Sequence, residues 1–195
     1  FNDTATTEIY TSLFVGRRQM CIRDSSYGGM GGRPGRDGLS AVSFPYNVRD
    51  VSIEWSEHET PVLYHARELI PDSGGAGTYR GGLGQQLIFE AYASGTTAGQ
   101  PLVFSGAAGR MRMPPNGFGG GGPGARSKIE VNGEAIAPTS SPEFSFAVGD
   151  VVRLSLPGGG GYGEPNSRPH EAIRRDLKAG YVTSAGAKRD YGFDE

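Results

Sequence analysis

The 195-residue sequence has one cysteine, Cys21, so it cannot form an internal disulfide or a thiolate metal site. That usage fits a reducing, cytoplasmic compartment. No apolar run approaches the roughly 18 residues of a membrane span. Nor does one sign of charge dominate: 19 basic and 21 acidic residues leave a net charge of −2, which gives no electrostatic case for a nucleic-acid partner. The 33 glycines lack the every-third-residue period of collagen. They also exclude helix bundles and long coiled coils, because glycine inside a helix costs about 1 kcal/mol against alanine.

What is present is a glycine- and proline-rich chain that still carries 10% aromatic residues and several apolar runs, enough for a packed core. Its length suits one domain or a piece of a larger protein. It begins with Phe1 rather than methionine, and it is expected to be incomplete. Residues 10–25, YTSLFVGRRQMCIRDS, show no clean period and resemble translated sequencing-adapter text. Residues 1–25 are therefore read as a non-native or disordered segment that carries no function, Cys21 included; the alternative is an ordinary polar arm.

Four glycine-rich stretches punctuate the rest, at residues 27–41, 72–84, 113–124 and 157–165. Between them, apolar–polar alternation predicts strands. Val51, Ile53 and Trp55 alternate with polar neighbours, and residues 62–70, 86–93 and 101–105 continue as strand-like runs. Residues 128–136, KIEVNGEAI, predict a hairpin, because Asn132-Gly133 suits the two positive φ angles of a type I′ turn. A second hairpin is expected around Gly149-Asp150, joining Phe144, Phe146 and Val148 to Val152, Leu154 and Leu156. Residues 169–179 predict a helix, with proline in its first turn, Ile173 and Leu177 on one face and Gly180 to end it. Ser184 is expected to cap a second, shorter helix before Tyr191. The fold class is mainly β (α+β): antiparallel strands connected by glycine loops, with short C-terminal helices.

Glycine loops invite a phosphate-binding reading. No Gly-Lys-Ser/Thr follows any of them, so a P-loop is absent, and Gly75-Ala76-Gly77 lacks the strand and helix of a dinucleotide fingerprint. Tight structural connection is the simpler role. Anion binding survives best beside Arg80 and Arg110/Arg112, since guanidinium forks grip carboxylates and phosphates. His58, His65 and His170 show no metal-ligand spacing, and His58 among Glu54, Glu57 and Glu59 reads as a solvated acidic strand face. Ser73 serves turn chemistry as readily as nucleophilic attack.

Taken in order, the blocks GGRPGRDG, SIEWSEHETP, DSGGAGTYRGGLG, RMRMPPNGFGGGGPG, LPGGGGYGEP and HEAIRRDLKAGYVTSAGAKRDYGF resemble the C-terminal part of the hydantoinase B/oxoprolinase family. The resemblance covers residues 26–195. Ser52, Gly109 and Glu164 depart from the family pattern, where proline, an acidic residue and aspartate are usual. It implies a subunit of an ATP-dependent hydrolase that opens cyclic amides such as hydantoins or 5-oxoproline, through phosphorylation of the amide oxygen. The alternatives are a subunit of an ATP-dependent acetone- or acetophenone-type carboxylase, or a non-catalytic scaffold and assembly module. The implied partners are a hydantoinase A-type subunit or domain, in a hetero-oligomer, and a small cyclic-amide substrate.

The same resemblance implies ATP with Mg and a divalent metal in the full assembly. It carries no metal ligand and no cofactor-binding residue onto this chain, which is expected to be inactive alone. If any residues here approach substrate or phosphate, the candidates are Asp72, Arg80, Arg110 and Arg112, with Asp72 orienting Arg80 across its loop. The alternative for these arginines is a salt bridge that pins loops together.

Overall fold

Alternating apolar residues build two antiparallel sheets that face each other across one core. The structure is a computed structural model describing residues 11–14, 22–24, 27–42, 52–92, 102–106 and 109–194. The larger sheet has the order β3 (Val62–Leu69), β4 (Gln85–Ala91), β9 (Val151–Ser155), β6 (Lys128–Val131), β7 (Glu134–Ala135). The smaller has the order β2 (Ile22–Asp24), β1 (Thr11–Phe14), β5 (Leu102–Ser105), β8 (Glu143–Phe146). Two strands thus fall within residues 1–25, and β1 pairs with β5 through Ser12 opposite Ser105 and Phe14 opposite Val103. Cys21 lies outside the described residues.

Leu87, Phe89 and Ala91 of β4 point inward at every second position. They meet Val152, Leu154 and Ile129 from neighbouring strands, and Leu102, Phe104 and Phe146 from the smaller sheet. Phe89 and Phe146 touch edge to face across the gap, with ring centres 6.1 Å apart. The mainly antiparallel β fold with short helices is as the sequence predicts.

The Asn132-Gly133 hairpin forms, with φ angles of 52° and 84° and Val131 opposite Glu134. The hairpin expected around Gly149-Asp150 does not. Strand β8 pairs with β5 in the smaller sheet, whereas β9 pairs with β4 and β6 in the larger. Asp150 Oδ2 accepts the Ala147 N–H at 2.6 Å, and Gly149 takes a φ of 88°, so the chain turns from one sheet to the other. Two alternating runs satisfy the facing sides of a sandwich as well as they satisfy a hairpin.

The second correction is at residues 52–59, where a helix replaces the expected strand. Helix α1 spans Ile53–Glu59. Ser52 caps it by accepting the Trp55 N–H at 3.2 Å, and the Thr60 hydroxyl donates to the Ser56 carbonyl at its end. The apolar residues that suggested alternation are not the buried ones: Trp55 is 52% exposed while Ser56 is buried. Val51 lies outside the described residues, as does residue 93 of the expected run 86–93 and residue 101 of the expected run 101–105.

Helices α2 (His170–Lys178) and α3 (Ser184–Tyr191) form a second, smaller core from Ile173, Val182, Ala187, Tyr191 and Phe193. The cap of α3 is Thr183 rather than Ser184: its hydroxyl accepts the Gly186 N–H at 3.0 Å. Thr183→Ala should therefore lower stability by about 1 kcal/mol, as loss of a helix cap does, read as a shift of the urea midpoint.

The glycine stretches join the two cores. Residues 157–163 run through the middle and hydrogen-bond to the other three stretches. Pro157 O accepts Gly29 N–H and Gly160 O accepts Gly32 N–H, both at 2.8 Å. Gly159 O accepts Gly75 N–H and its own N–H donates to Gly82 O, also at 2.8 Å. Gly161 O accepts the Phe118 N–H and the Gly161 N–H donates to Gly122 O, both at 2.9 Å. Backbone lies directly on backbone here, as at the axis of a collagen helix, although no three-residue period is needed because the chains are separate stretches of one sequence.

Candidate functional site

Where the glycine bundle meets the helices, two arginines and two aspartates form a buried network. Arg80, 4% exposed, extends from the second glycine stretch. Its Nε and Nη2 donate to the two carboxylate oxygens of Asp176 at 3.2 and 3.4 Å, and its Nη1 donates to the Gly81 carbonyl at 2.6 Å. Arg168, 3% exposed, stands between the 3-10 turn Pro165–Ser167 and α2. It forks onto Asp37 at 2.7 and 2.9 Å, reaches Asp176 at 2.6 Å and donates to the Thr78 carbonyl at 3.0 Å. Asp37 also accepts the Arg80 backbone N–H at 2.7 Å. The guanidinium groups lie over the rings of Tyr181 and Tyr191, 5.3 and 5.8 Å from the ring centres.

Burial alone would push the Asp37 carboxyl up, but the Arg168 guanidinium and the Arg80 N–H outweigh it and hold the carboxyl below its ordinary value. Burial likewise works against charge on Arg168, and Asp37 and Asp176 more than offset it. Burial pushes the Tyr191 phenol up to about 12. These shifts fix two arms of a stability profile. As pH falls below the ordinary carboxylate range, the unfolded chain takes a proton that folded Asp37 refuses, so stability is lost with acid. As pH rises from about 10 towards 12, the unfolded chain gives up a tyrosine proton that folded Tyr191 keeps, so stability is lost with base. Thermal midpoints measured across pH should show both arms; Asp37→Asn should flatten the first and Tyr191→Phe the second.

The expected Asp72–Arg80 pairing is not what the structure brings together. Asp72, at a φ of 58°, accepts the Thr183 N–H at 2.9 Å and its hydroxyl at 2.6 Å, which ties the second glycine stretch to the start of α3. The partner of Arg80 is Asp176, in a helix 96 residues away. Arg110 and Arg112 flank Met111 in the 3-10 turn Gly109–Met111; Met111 is buried in the sandwich core and both arginines are exposed, away from that network. Sequence reasoning missed Asp37, Arg168 and Asp176. One signal pointed to Asp176: it follows Ala172 by four and Ile173 by three, so it falls on the apolar face of α2.

The remaining chemistry-bearing residues are also accounted for. Ser73, 2% exposed, donates its hydroxyl to the Ile70 carbonyl at 2.5 Å and accepts the Gly84 N–H at 2.9 Å, which is turn chemistry. His58 is exposed on α1, which removes the acidic strand face the sequence suggested. His65 pairs with Glu90 at 2.9 Å, and His170 meets the Phe193 ring. Among the described residues, no three His, Cys, Asp or Glu side chains converge to hold a metal ion, and no helix is long and apolar enough to cross a membrane. All four carboxylate oxygens of Asp37 and Asp176 are taken within the network, which leaves it no free carboxylate oxygen for a divalent metal, while Arg168 Nε is buried without a hydrogen-bond partner among the described residues.

Comparison with known proteins gives the chain its place. It is 35% identical over 147 residues to the beta subunit of the caprolactamase of Pseudomonas jessenii, a match covering 72% of this chain and 24% of that protein. It is 32% identical over 179 residues to the B subunit of a putative D-/L-hydantoinase of Pseudomonas sp. (strain NS671), covering 89% of this chain and 28% of that protein. The match thus spans about a quarter of the length of these two relatives. Its fold superposes on the crystal structure of the ATP-dependent caprolactamase from Pseudomonas jessenii with a TM-score of 0.74 at 24% identity, over 95% of this chain and 34% of that one. The sequence model of hydantoinase B/oxoprolinase matches residues 4–165, and the chain belongs to that family.

Proposed function

We propose that this chain works within an ATP-dependent enzyme that opens small cyclic amides, as part of a B-type subunit in a hetero-oligomer with a hydantoinase A-type subunit. The observation that carries the reading is the similarity, over most of this chain, to the beta subunit of a caprolactamase and the B subunit of a hydantoinase. ATP, its Mg and a divalent metal would bind elsewhere in the assembly, a reading supported by Asp176, whose carboxylate oxygens are already engaged by Arg80 and Arg168. The contribution of this chain is scaffolding: the glycine bundle and the Arg80–Asp176–Arg168–Asp37 network fix the helices against the sandwich. Such an enzyme would act in the cytoplasm.

The test is substrate-dependent ATP turnover in a full-length B-type subunit carrying this sequence, purified with its A-type partner. Hydantoin, 5-oxoproline or caprolactam should stimulate ATP hydrolysis with ring opening, while the 195-residue chain alone should show none. Turnover that requires bicarbonate and a ketone, with no response to any cyclic amide, would contradict the hydrolase reading in favour of a carboxylase.

A further inference from the structure

Glycine follows asparagine or aspartate at three places in the sequence: Asp37-Gly38, Asn116-Gly117 and Asn132-Gly133. Such pairs are open to an internal reaction. The glycine nitrogen, with no Cβ beside it to hinder approach, attacks the side-chain carbonyl carbon of the preceding residue, and a five-membered ring closes. Nothing in the sequence ranks one Asn-Gly pair above the other. The folded chain does.

Two of the three pairs are locked. Asn132 Nδ2 donates to Asp150 Oδ1 at 2.8 Å and its Oδ1 accepts the Val151 N–H at 2.9 Å, so both ends of the amide are held. At Asp37 the carboxylate is gripped by Arg168, and the Gly38 N–H that would attack it is bonded to the Arg80 carbonyl at 2.7 Å. A carboxylate paired with a guanidinium stays ionised, and an anion repels a nucleophile.

Asn116 differs on each count. It is exposed, and among the described residues neither its side-chain amide nor the Gly117 N–H has a hydrogen-bond partner. The nearest bonds lie on either side: Gly124 N–H to the Pro115 carbonyl and Phe118 N–H to the Gly161 carbonyl, both at 2.9 Å. They fix the loop and leave the reacting pair unheld.

We propose that Asn116 is a site of spontaneous deamidation and isomerisation, and that its conversion loosens the glycine bundle. The Gly117 nitrogen bonds to Asn116 Cγ, the Cγ–Nδ2 bond breaks, and ammonia leaves with the proton that Gly117 gives up. Water then opens the ring. Addition at Cγ yields aspartate; addition at the main-chain carbonyl yields isoaspartate, whose backbone runs through the side chain and is one methylene longer. Water is the sole co-reactant, so the reaction needs no partner.

The damage follows from position. A Cβ on Gly160 would stand 2.5 Å from the Asn116 carbonyl carbon, so the backbone here lies directly on the central glycine stretch. Isoaspartate turns that carbonyl into a free carboxylate and lengthens the chain between the bonds at Pro115 and Phe118. A contact of bare backbone has room for neither the charge nor the methylene.

Ageing the 195-residue chain in warm, mildly alkaline buffer, followed by tryptic mass spectrometry, tests the assignment. Cleavage after Arg112 and Arg126 isolates Asn116, and cleavage after Lys128 and Arg153 isolates Asn132. In the folded chain Asn116 should convert about tenfold or more faster than Asn132, whose ring closes only after two hydrogen bonds break. In chain unfolded by guanidinium chloride the two rates should converge. The melting temperature of the unaltered chain should fall as conversion proceeds. Asn116→Gln, which would have to close a six-membered ring, should start at the same melting temperature and keep it. Conversion at Asn116 no faster than at Asn132, including none at either, would overturn the assignment. A difference that survives unfolding would trace it to neighbouring sequence and overturn the role of the locks. Conversion at Asn116 with an unchanged melting temperature would overturn the effect on the bundle.

Discussion

Arg168→Met should destabilise the fold by about 3–5 kcal/mol, the cost of removing one partner from a buried ion pair. The side chain makes four of the network's hydrogen bonds, to Asp37, Asp176 and the Thr78 carbonyl. Without it, Asp176 keeps only Arg80, and its side chain is 9% exposed, so water cannot replace what is lost. Asp37 has a side chain 36% exposed and rehydrates in part, so Asp37→Asn should cost clearly less. The two arginines share Asp176, and their effects should not add. A double-mutant cycle with Arg80→Met should give a coupling energy of about 0.5–3 kcal/mol. Equilibrium urea unfolding followed by circular dichroism measures all of these. A loss below about 1 kcal/mol for Arg168→Met would show that the network holds nothing together.

Gly81→Ala should be at least as damaging although it adds one methyl group. A Cβ at this position would overlap the Gly159 carbonyl oxygen and lie 2.6 Å from its carbon. The obstacle is backbone in the central stretch of the bundle, which cannot rotate away as a side chain can. Overpacking in a core costs about 1–3 kcal/mol even where side chains can shift, and this site belongs at or above the top of that range. Gly109→Ala is the matched control, because a Cβ there meets nothing within 4 Å and the residue lies outside the positive-φ region. The thermal midpoint should fall by many degrees for Gly81→Ala and barely move for Gly109→Ala. Equal midpoints would show that the close approach of the glycine stretches is not required.

The strands are legible in the sequence wherever local chemistry alone decides. Asn132-Gly133 dictates its own turn, and the apolar spacing of residues 170–178 dictates a helix face. Patterns that are short, or that serve two geometries, mislead. Alternation over Val51, Ile53 and Trp55 has only three apolar positions, and the cap supplied by Ser52 outweighs it. The runs beside Gly149 and Asp150 face one core from two sheets, a choice set by β5 and β4, which lie far away in sequence. The arginine site is half legible. Arg80 is adjacent to glycine and conspicuous, but its carboxylates come from residues 37 and 176, and only the folded bundle brings them together. Asp72, which looks like its partner in the sequence, is taken by the start of α3 instead.

We propose that Arg80, whose guanidinium is engaged by Asp176 and the Gly81 carbonyl, fastens the helices to the glycine bundle rather than acting on the substrate. The decisive variant is Arg80→Ala in the full-length subunit, assembled with its A-type partner, with kcat measured per assembled complex and the assembled fraction measured beside it. The yield of complex and its thermal midpoint should fall, while kcat and KM of the complex that does form stay within about twofold of the unaltered enzyme. A complex that assembles fully and melts normally but loses kcat by about a hundredfold or more would contradict this role and place Arg80 at the reacting atoms.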